Sequence, residues 1–187
     1  KDAKWPVTPA IANCLFTAVS TDTGSFQYPS TRPSTYHTAA ELVKNGAELG
    51  RICHEVYQSY PLSRVRLLQH VYNSFRLVHD DQIAYFWLKP ADFARTGATT
   101  ADSEGLIDHV RDIEPVVVAC VFEELEPGVA RISLRSKTEQ VNVSAIAQEF
   151  GGGGHPAAAG ARIKGSPLAV QRKVLAAIRK ALDAVKS

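Results

Sequence analysis

The chain has 187 residues, of which 45% are hydrophobic and 21% charged, and its formal net charge is +2. These proportions describe an ordinary globular protein and exclude a disordered, collagen-like or disulfide-dense one. So small a charge excludes a general nucleic-acid coat, while leaving room for one focused basic pocket.

The length holds one large domain, or a small domain with part of another. Cys14, Cys53 and Cys120 are far apart and show no Cys-x-x-Cys spacing. That argues against a disulfide scaffold or a structural zinc site; they read as buried thiols in a reducing compartment, so a cytoplasmic location is expected. The longest strictly apolar run, Val116 to Phe122, is seven residues, against about 20 for a bilayer crossing. The N-terminus has no charged start before an apolar core, so no signal peptide and no membrane association are expected. The sequence begins at Lys1 and contains no methionine, as expected of a piece trimmed from a longer product.

In chain order, residues 1–20 carry Ile11, Leu15, Phe16 and Val19 at helical spacing, predicting a helix packed on a core. Gly24 ends it within the turn-rich TDTGSF. Ser34 or Thr35 caps a predicted helix over 36–45, its inner face Ala39, Ala40 and Val43, with Gly46 at its stop. A short helix over 49–60 ends before Pro61. Residues 62–75 carry Leu62, Val65, Leu68, Tyr72 and Phe75 at three-to-four spacing, which fits a linker helix between domains. A hairpin follows over 76–79 and 83–89, then a short helix over 90–95 stopped by Gly97, and another over 104–111. Residues 116–124 and 129–135 form a strand pair turned at Glu126-Pro127-Gly128. A helix over 142–150 leads into the glycine run, then a strand over 159–164. Ser166 caps a last helix with Pro167 in its first turn and the stripe Val170, Val174, Ile178, Leu182 and Val185. The fold class expected is α+β for residues 76–187, preceded by a mostly helical piece.

The run GGGGHPAAAG, Gly151 to Gly160, carries the strongest chemical signal. Glycines after a helix let backbone N–H groups approach an anion with no Cβ in the way, and His155 adds a donor or a cation. A flexible linker or a helix stop would also be glycine-rich; the absence of a following Gly-Lys-Ser/Thr excludes a Walker A loop. SLRSK, Ser133 to Lys137, ends a predicted strand: Arg135 offers a planar fork for phosphate, Ser136 a hydroxyl and Lys137 a mobile charge. A solvated basic strand edge is the plainer reading. Asp22, in Thr21-Asp22-Thr23-Gly24, can bind a hard cation or cap a turn, and one carboxylate alone does not make a metal site. The other histidines, His37, His54, His70, His79 and His109, have no metal-like spacing, and Trp5 and Trp87 read as packing residues.

TDTGSFQYPST, Thr21 to Thr31, resembles the last motif of DHH-family phosphoesterase domains. EGLIDHVRDIE, SLRSK and VNVSAIAQEFGGGGHPAAAG, in that order, resemble the DHH-associated domain that follows, in the bacterial oligoribonuclease/pAp-phosphatase (nanoRNase) branch. The resemblance implies two Mn²⁺ ions in a DHH domain and hydrolysis of very short RNA or DNA oligonucleotides, of 3′-phosphoadenosine 5′-phosphate or of linear products of cyclic dinucleotides. It implies a mixed sheet flanked by helices in the C-terminal domain. On that basis 1–61 correspond to a helical remnant of the catalytic domain, 62–75 to the linker helix and 76–187 to the substrate-binding domain. Asp22 matches a metal-ligand aspartate; Arg135, Ser136, Lys137, Gly152, Gly153, Gly154 and His155 match substrate-binding positions. The family's His-x-Asp-x-Asp and Asp-His-His motifs are absent, since Asp108-His109 falls inside a predicted helix. The expectation is therefore the substrate-binding part of a phosphoesterase, inactive without its N-terminal DHH domain, with a homodimer implied by resemblance alone. The alternative is a stand-alone nucleotide-binding regulatory module.

Overall fold

The structure, a computed structural model, describes residues 5–29 and 31–186. The first residues of the helix expected over 1–20, Ser30 of TDTGSFQYPST and the terminal Ser187 lie outside them. The chain divides between Tyr60 and Pro61 into two compact units.

The first unit is helical: α1 (Pro9–Asp22), α2 (Pro33–Lys44) and α3 (Leu49–Cys53), which continues as a π turn, His54–Gln58. Thr8 caps α1, its hydroxyl accepting from the Ile11 amide, and Pro9 supplies the preset φ of a first helical residue. Pro33 does the same for α2, so the helix starts after Arg32, earlier than the expected Ser34 or Thr35 cap. The inward faces also differ from expectation. Ala12 and Phe16 are buried in α1, whereas Ile11 and Leu15 are exposed. In α2 Ala39 and Leu42 are buried, while Ala40 and Val43 are not. The core here is small, with Ala47 and Ile52 completing it, and it admits only a narrow stripe from each helix. Past α1, Gly24 takes φ +55°. Thr23 organises this turn: its hydroxyl donates to Val19 O (2.7 Å) and accepts from Phe26 N (3.1 Å). Trp5, expected to pack, is exposed.

The second unit is built on a six-stranded sheet of order β1-β2-β3-β4-β6-β5. The strands are β1 (Arg76–Val78), β2 (Ile83–Leu88), β3 (Val118–Glu126), β4 (Val129–Ser136), β5 (Gly153–His155) and β6 (Ala158–Lys164). Only β2 and β3 pair in parallel. A parallel pair needs a crossover, here α5 (Pro90–Thr96), a 3-10 turn (Thr100–Ser103) and α6 (Leu106–Arg111). The sheet is therefore mixed and the class α+β, as expected.

One face of the sheet is wholly covered. Val118, Cys120 and Phe122 of β3 join Ile132 and Leu134 of β4 beneath α7 (Val143–Gln148) and α8 (Pro167–Lys186). The expected α8 stripe is buried at Val170, Val174, Ile178 and Leu182; Val185, in the last turn, is exposed. Trp87 stacks on Phe122 with ring centroids 4.9 Å apart, and its Nε1 donates to Gln171 Oε1 (2.8 Å).

The opposite face is partly covered. Phe86 and Leu88 of β2 and Ala119 of β3 pack under α6 and under α4 (Leu62–Ser74), through Leu67, Val71, Leu106 and Ile107. Leu68 and Phe75 of the expected stripe pack against this cluster, but its centre is Leu67 and Val71, and Leu62, Val65 and Tyr72 are exposed. Because α4 has apolar residues on two adjacent faces, its contact with the sheet selects the buried one. On this face α6 reaches as far as β4, and among the described residues of the second unit no helix packs on it over β6 and β5.

Of the three cysteines only Cys120 is buried; Cys14 is exposed and Cys53 half-buried, which corrects the expectation of three buried thiols. Burial pushes the Cys120 thiol well above its ordinary value of 9.0. In the unfolded chain that thiol ionises while the folded one stays protonated. Its stabilising contribution is thus complete below pH 9 and declines above it, by about 1.4 kcal/mol per pH unit. Urea titrations above pH 9 should show this decline in the natural chain and not in Cys120→Ala. A thiol reagent at pH 7.5 should label Cys14 in the native protein and Cys120 only after unfolding; rapid native labelling of Cys120 would contradict the packing.

Candidate functional site

Alternation along β4 sends Ala130, Ile132, Leu134 and Ser136 into the covered face and Arg131, Ser133 and Arg135 to the open one. The register extends that row. Arg135 stands opposite Ala158, and Ala158 opposite His155; Ser133 stands opposite Gly160, and Gly160 opposite Gly153. Paired residues share a face, so Arg135 and His155 flank β6 on the open side, about 10 Å apart at two strand spacings. Between them the floor is Ala158 and Gly160, with no side chain larger than a methyl group.

Arg135 is steered from both sides. Its Nη1 donates to Leu134 O (3.1 Å), and its Nε lies 3.9 Å from Asp108 Oδ1. Asp108 is held more closely by Arg111, at 2.8 Å. The guanidinium is thus oriented while keeping donors for an incoming anion.

The glycine run is an edge hairpin, where the sequence suggested a loop. Gly151, at φ +73°, ends α7, and the Gly152 amide donates back to Ala147 O (2.9 Å). Gly153–His155 then pairs as β5 with β6 around a tight Pro156-Ala157 turn. That turn is pinned: Val143 N donates to Pro156 O, Ser136 N to Ala157 O, each at 2.9 Å, and Ser144 Oγ to Gly154 O at 2.9 Å. The glycines do different work. A Cβ on Gly152 would stand 2.1 Å from Gly160 O, and one on Gly154 2.5 Å from Ala158 O, whereas nothing lies within 4 Å of one on Gly153. Gly152 and Gly154 permit the close backbone approach; Gly153 lies on the open face.

Arg135, Gly153 and His155 therefore share one face. Ser136 points into the opposite face, its hydroxyl donating to Thr138 O (2.8 Å). Lys137 donates its ammonium to Ile113 O (2.6 Å) and Glu114 O (3.2 Å), holding the segment after α6. Asp22 ends α1 in the first unit, beside Ala18 and Thr21. Among the described residues there is no group of three or more His, Cys, Asp or Glu that could hold a metal ion.

Sequence reasoning missed a cavity of ≈ 420 Å³ beside Arg135, whose polar wall includes Glu123, Arg131 and Ser133. The signal was present: RISLRS alternates with period two, and the Glu126–Gly128 turn sets Glu123 opposite Arg131.

Arg135 and His155 thus stand across a glycine-alanine floor on one face of the sheet of an α+β domain. Residues 80–187 match the DHHA1 domain, and the chain belongs to that family. It is 32% identical, over 94% of its length, to the bifunctional oligoribonuclease and PAP phosphatase NrnA of Thermus thermophilus, covering 52% of that protein. It is 28% identical, over 84% of its length, to an A-adding tRNA nucleotidyltransferase of Geobacter sulfurreducens, covering 17% of it. The crystal structure of an exopolyphosphatase-related protein from Bacteroides fragilis superposes with a TM-score of 0.88 at 28% identity, over 97% of this chain and 53% of that one. The chain thus spans about half the length of the oligoribonuclease relative.

Proposed function

We propose that the second unit grips the phosphate of a short oligonucleotide or nucleotide, as part of a metal-dependent phosphoesterase acting on nano-RNA or 3′-phosphoadenosine 5′-phosphate. The observation that carries this is the placement of Arg135 and His155 on one open face. The Arg135 fork takes two phosphate oxygens and His155 donates to the phosphate from the other side. The bare floor lets a ribose lie against the backbone, and fixing the terminal phosphate in this way places the adjacent ester for attack. The first unit, in this reading, is the end of a catalytic domain, and Asp22 one ligand of its metal centre.

Bound there, metal ions, Mn²⁺ in this proposal, would supply activation of a water and neutralisation of phosphoryl charge. Asp22 alone does not fit a two-ion centre, so the other ligands belong to a DHH domain that this sequence does not include. Accordingly the 187-residue chain, supplied with Mn²⁺ and a dinucleotide, is expected to bind without turnover; sustained release of mononucleotide would overturn the division of labour. The match to part of a much longer nucleotidyltransferase favours a second reading, in which these units serve as a nucleotide-holding module beside other chemistry.

The site itself is tested by an amide-resonance titration with AMP. Shifts are expected at Arg135, Gly153, His155, Ala158 and Gly160. A response confined to the α8 side of the sheet would dismiss the assignment.

A further inference from the structure

The cavity beside Arg135 holds a feature that a phosphate grip does not need. Glu123 is nearly enclosed, its side chain 8% exposed, and Arg131 Nη2 engages its Oε2 at 2.5 Å. A carboxylate so placed costs several kcal/mol in desolvation unless it is paired. Here the pairing is incomplete: the Arg131 Nε is buried without a hydrogen-bond partner, and no described contact engages Glu123 Oε1. The Glu123 carboxylate therefore keeps one oxygen that no described contact takes up.

The same cavity is lined by the apolar Phe86, Leu88 and Val121 and by Thr100 and Ser103 of the 3-10 turn. Its volume, ≈ 420 Å³, falls in the range of small-ligand sites. Charge decides what kind of group fits. Glu123 and Glu104 offset Arg131 and Arg135 around the cavity, which makes it a poor second phosphate site and a good site for a flat, uncharged group with a polar edge.

We propose that this cavity is a nucleobase subsite. Glu123 Oε1 accepts from an exocyclic amino group, such as adenine carries, while the Arg131 guanidinium holds the carboxylate in place. The apolar lining of the cavity receives the ring, with Thr100 and Ser103 as polar neighbours. The reading of Arg135 and His155 as the phosphate grip underlies this. Arg131 and Arg135 are four residues apart on one strand, about 13 Å along its axis. A nucleotide, with phosphate and base edge at opposite ends of a furanose, lies along β4 between them.

The test is calorimetric titration of the whole chain with AMP, with purine ribonucleoside 5′-monophosphate, which lacks the amino group, and with ribose 5-phosphate. AMP is expected to bind about tenfold more tightly than either of the others, the scale of one hydrogen bond to a charged group. Glu123→Gln should weaken AMP by about the same factor and leave ribose 5-phosphate unchanged. If Glu123→Gln does not fold, Ser103→Trp, which fills the cavity, carries the same expectation. Equal affinity of the natural chain for AMP and ribose 5-phosphate would overturn the subsite and leave the phosphate grip standing. So would an equal loss of both ligands in a folded variant. Binding of none of the three ligands would overturn the grip as well.

Discussion

Arg135→Ala is expected to weaken AMP or dinucleotide binding by about tenfold to a hundredfold, because hydrogen bonds to a charged partner contribute about 1.5–3 kcal/mol. The side chain lies on the open face, and its only described hydrogen bond goes to the carbonyl of its neighbour Leu134, so truncation leaves the core as it is. Calorimetry gives the affinity and thermal unfolding the control: the melting temperature should hardly move. Arg135→Lys should recover part of the loss, since an ammonium supplies charge without the two-pronged geometry. Ser136→Ala and Lys137→Ala should behave otherwise. Their polar atoms are taken up by backbone carbonyls of the chain itself, so they should alter stability more than affinity. Full affinity in a folded Arg135→Ala variant would remove the residue from the site.

The largest effect on stability is expected from a single methyl group on Gly152. Its Cβ would meet Gly160 O at 2.1 Å, Ala161 Cβ at 2.5 Å and Ala161 Cα at 2.8 Å. Two of these are backbone atoms of β6, so the chain entering β5 must move away from that strand. The cost of such overpacking is about 3 kcal/mol or more, or roughly 10 °C in melting temperature for a domain of this size. Gly153→Ala, one residue further, meets nothing within 4 Å and should be neutral or slightly stabilising, by about 0.5 kcal/mol. Denaturant midpoints of the two variants separate a packed hairpin from a flexible linker. A linker would tolerate both substitutions alike.

Much of the fold was legible because its signals are local. The hairpins, the Pro167 start of α8 and its four-residue apolar stripe follow from spacing and turn chemistry. The inward faces of α1 and α4 were legible only in part: Phe16, Val19, Leu68 and Phe75 do pack inward. Ile11 beside Ala12, Leu15 beside Phe16, and Leu67 beside Leu68 offer two adjacent stripes, and the partner surface chooses between them. The site shows the same limit. Arg135 and His155 could be suspected of converging, since one strand end and one glycine run surround a single helix. Ser136 was grouped with Arg135 as a neighbour in sequence, although alternation along a strand sends adjacent residues to opposite faces. Glu123 lay within an apolar stretch, and its meaning depended on a cross-strand partner eight residues away.

The division of β4 into two faces also bears on how this protein can change. Ile132 and Leu134 are fully buried and anchor the sheet, whereas Arg131, Ser133 and Arg135 alternate with them on the other face, where the ligand is proposed to lie. Recognition and rigidity thus occupy interleaved but separate positions of one strand. In the proposed reading, substitutions at 133 or 135 can retune which molecule is accepted while the foundation beneath stays in place. The partly bare sheet is a surface on which new preferences can arise by single steps, each tolerated because the other face bears the structure.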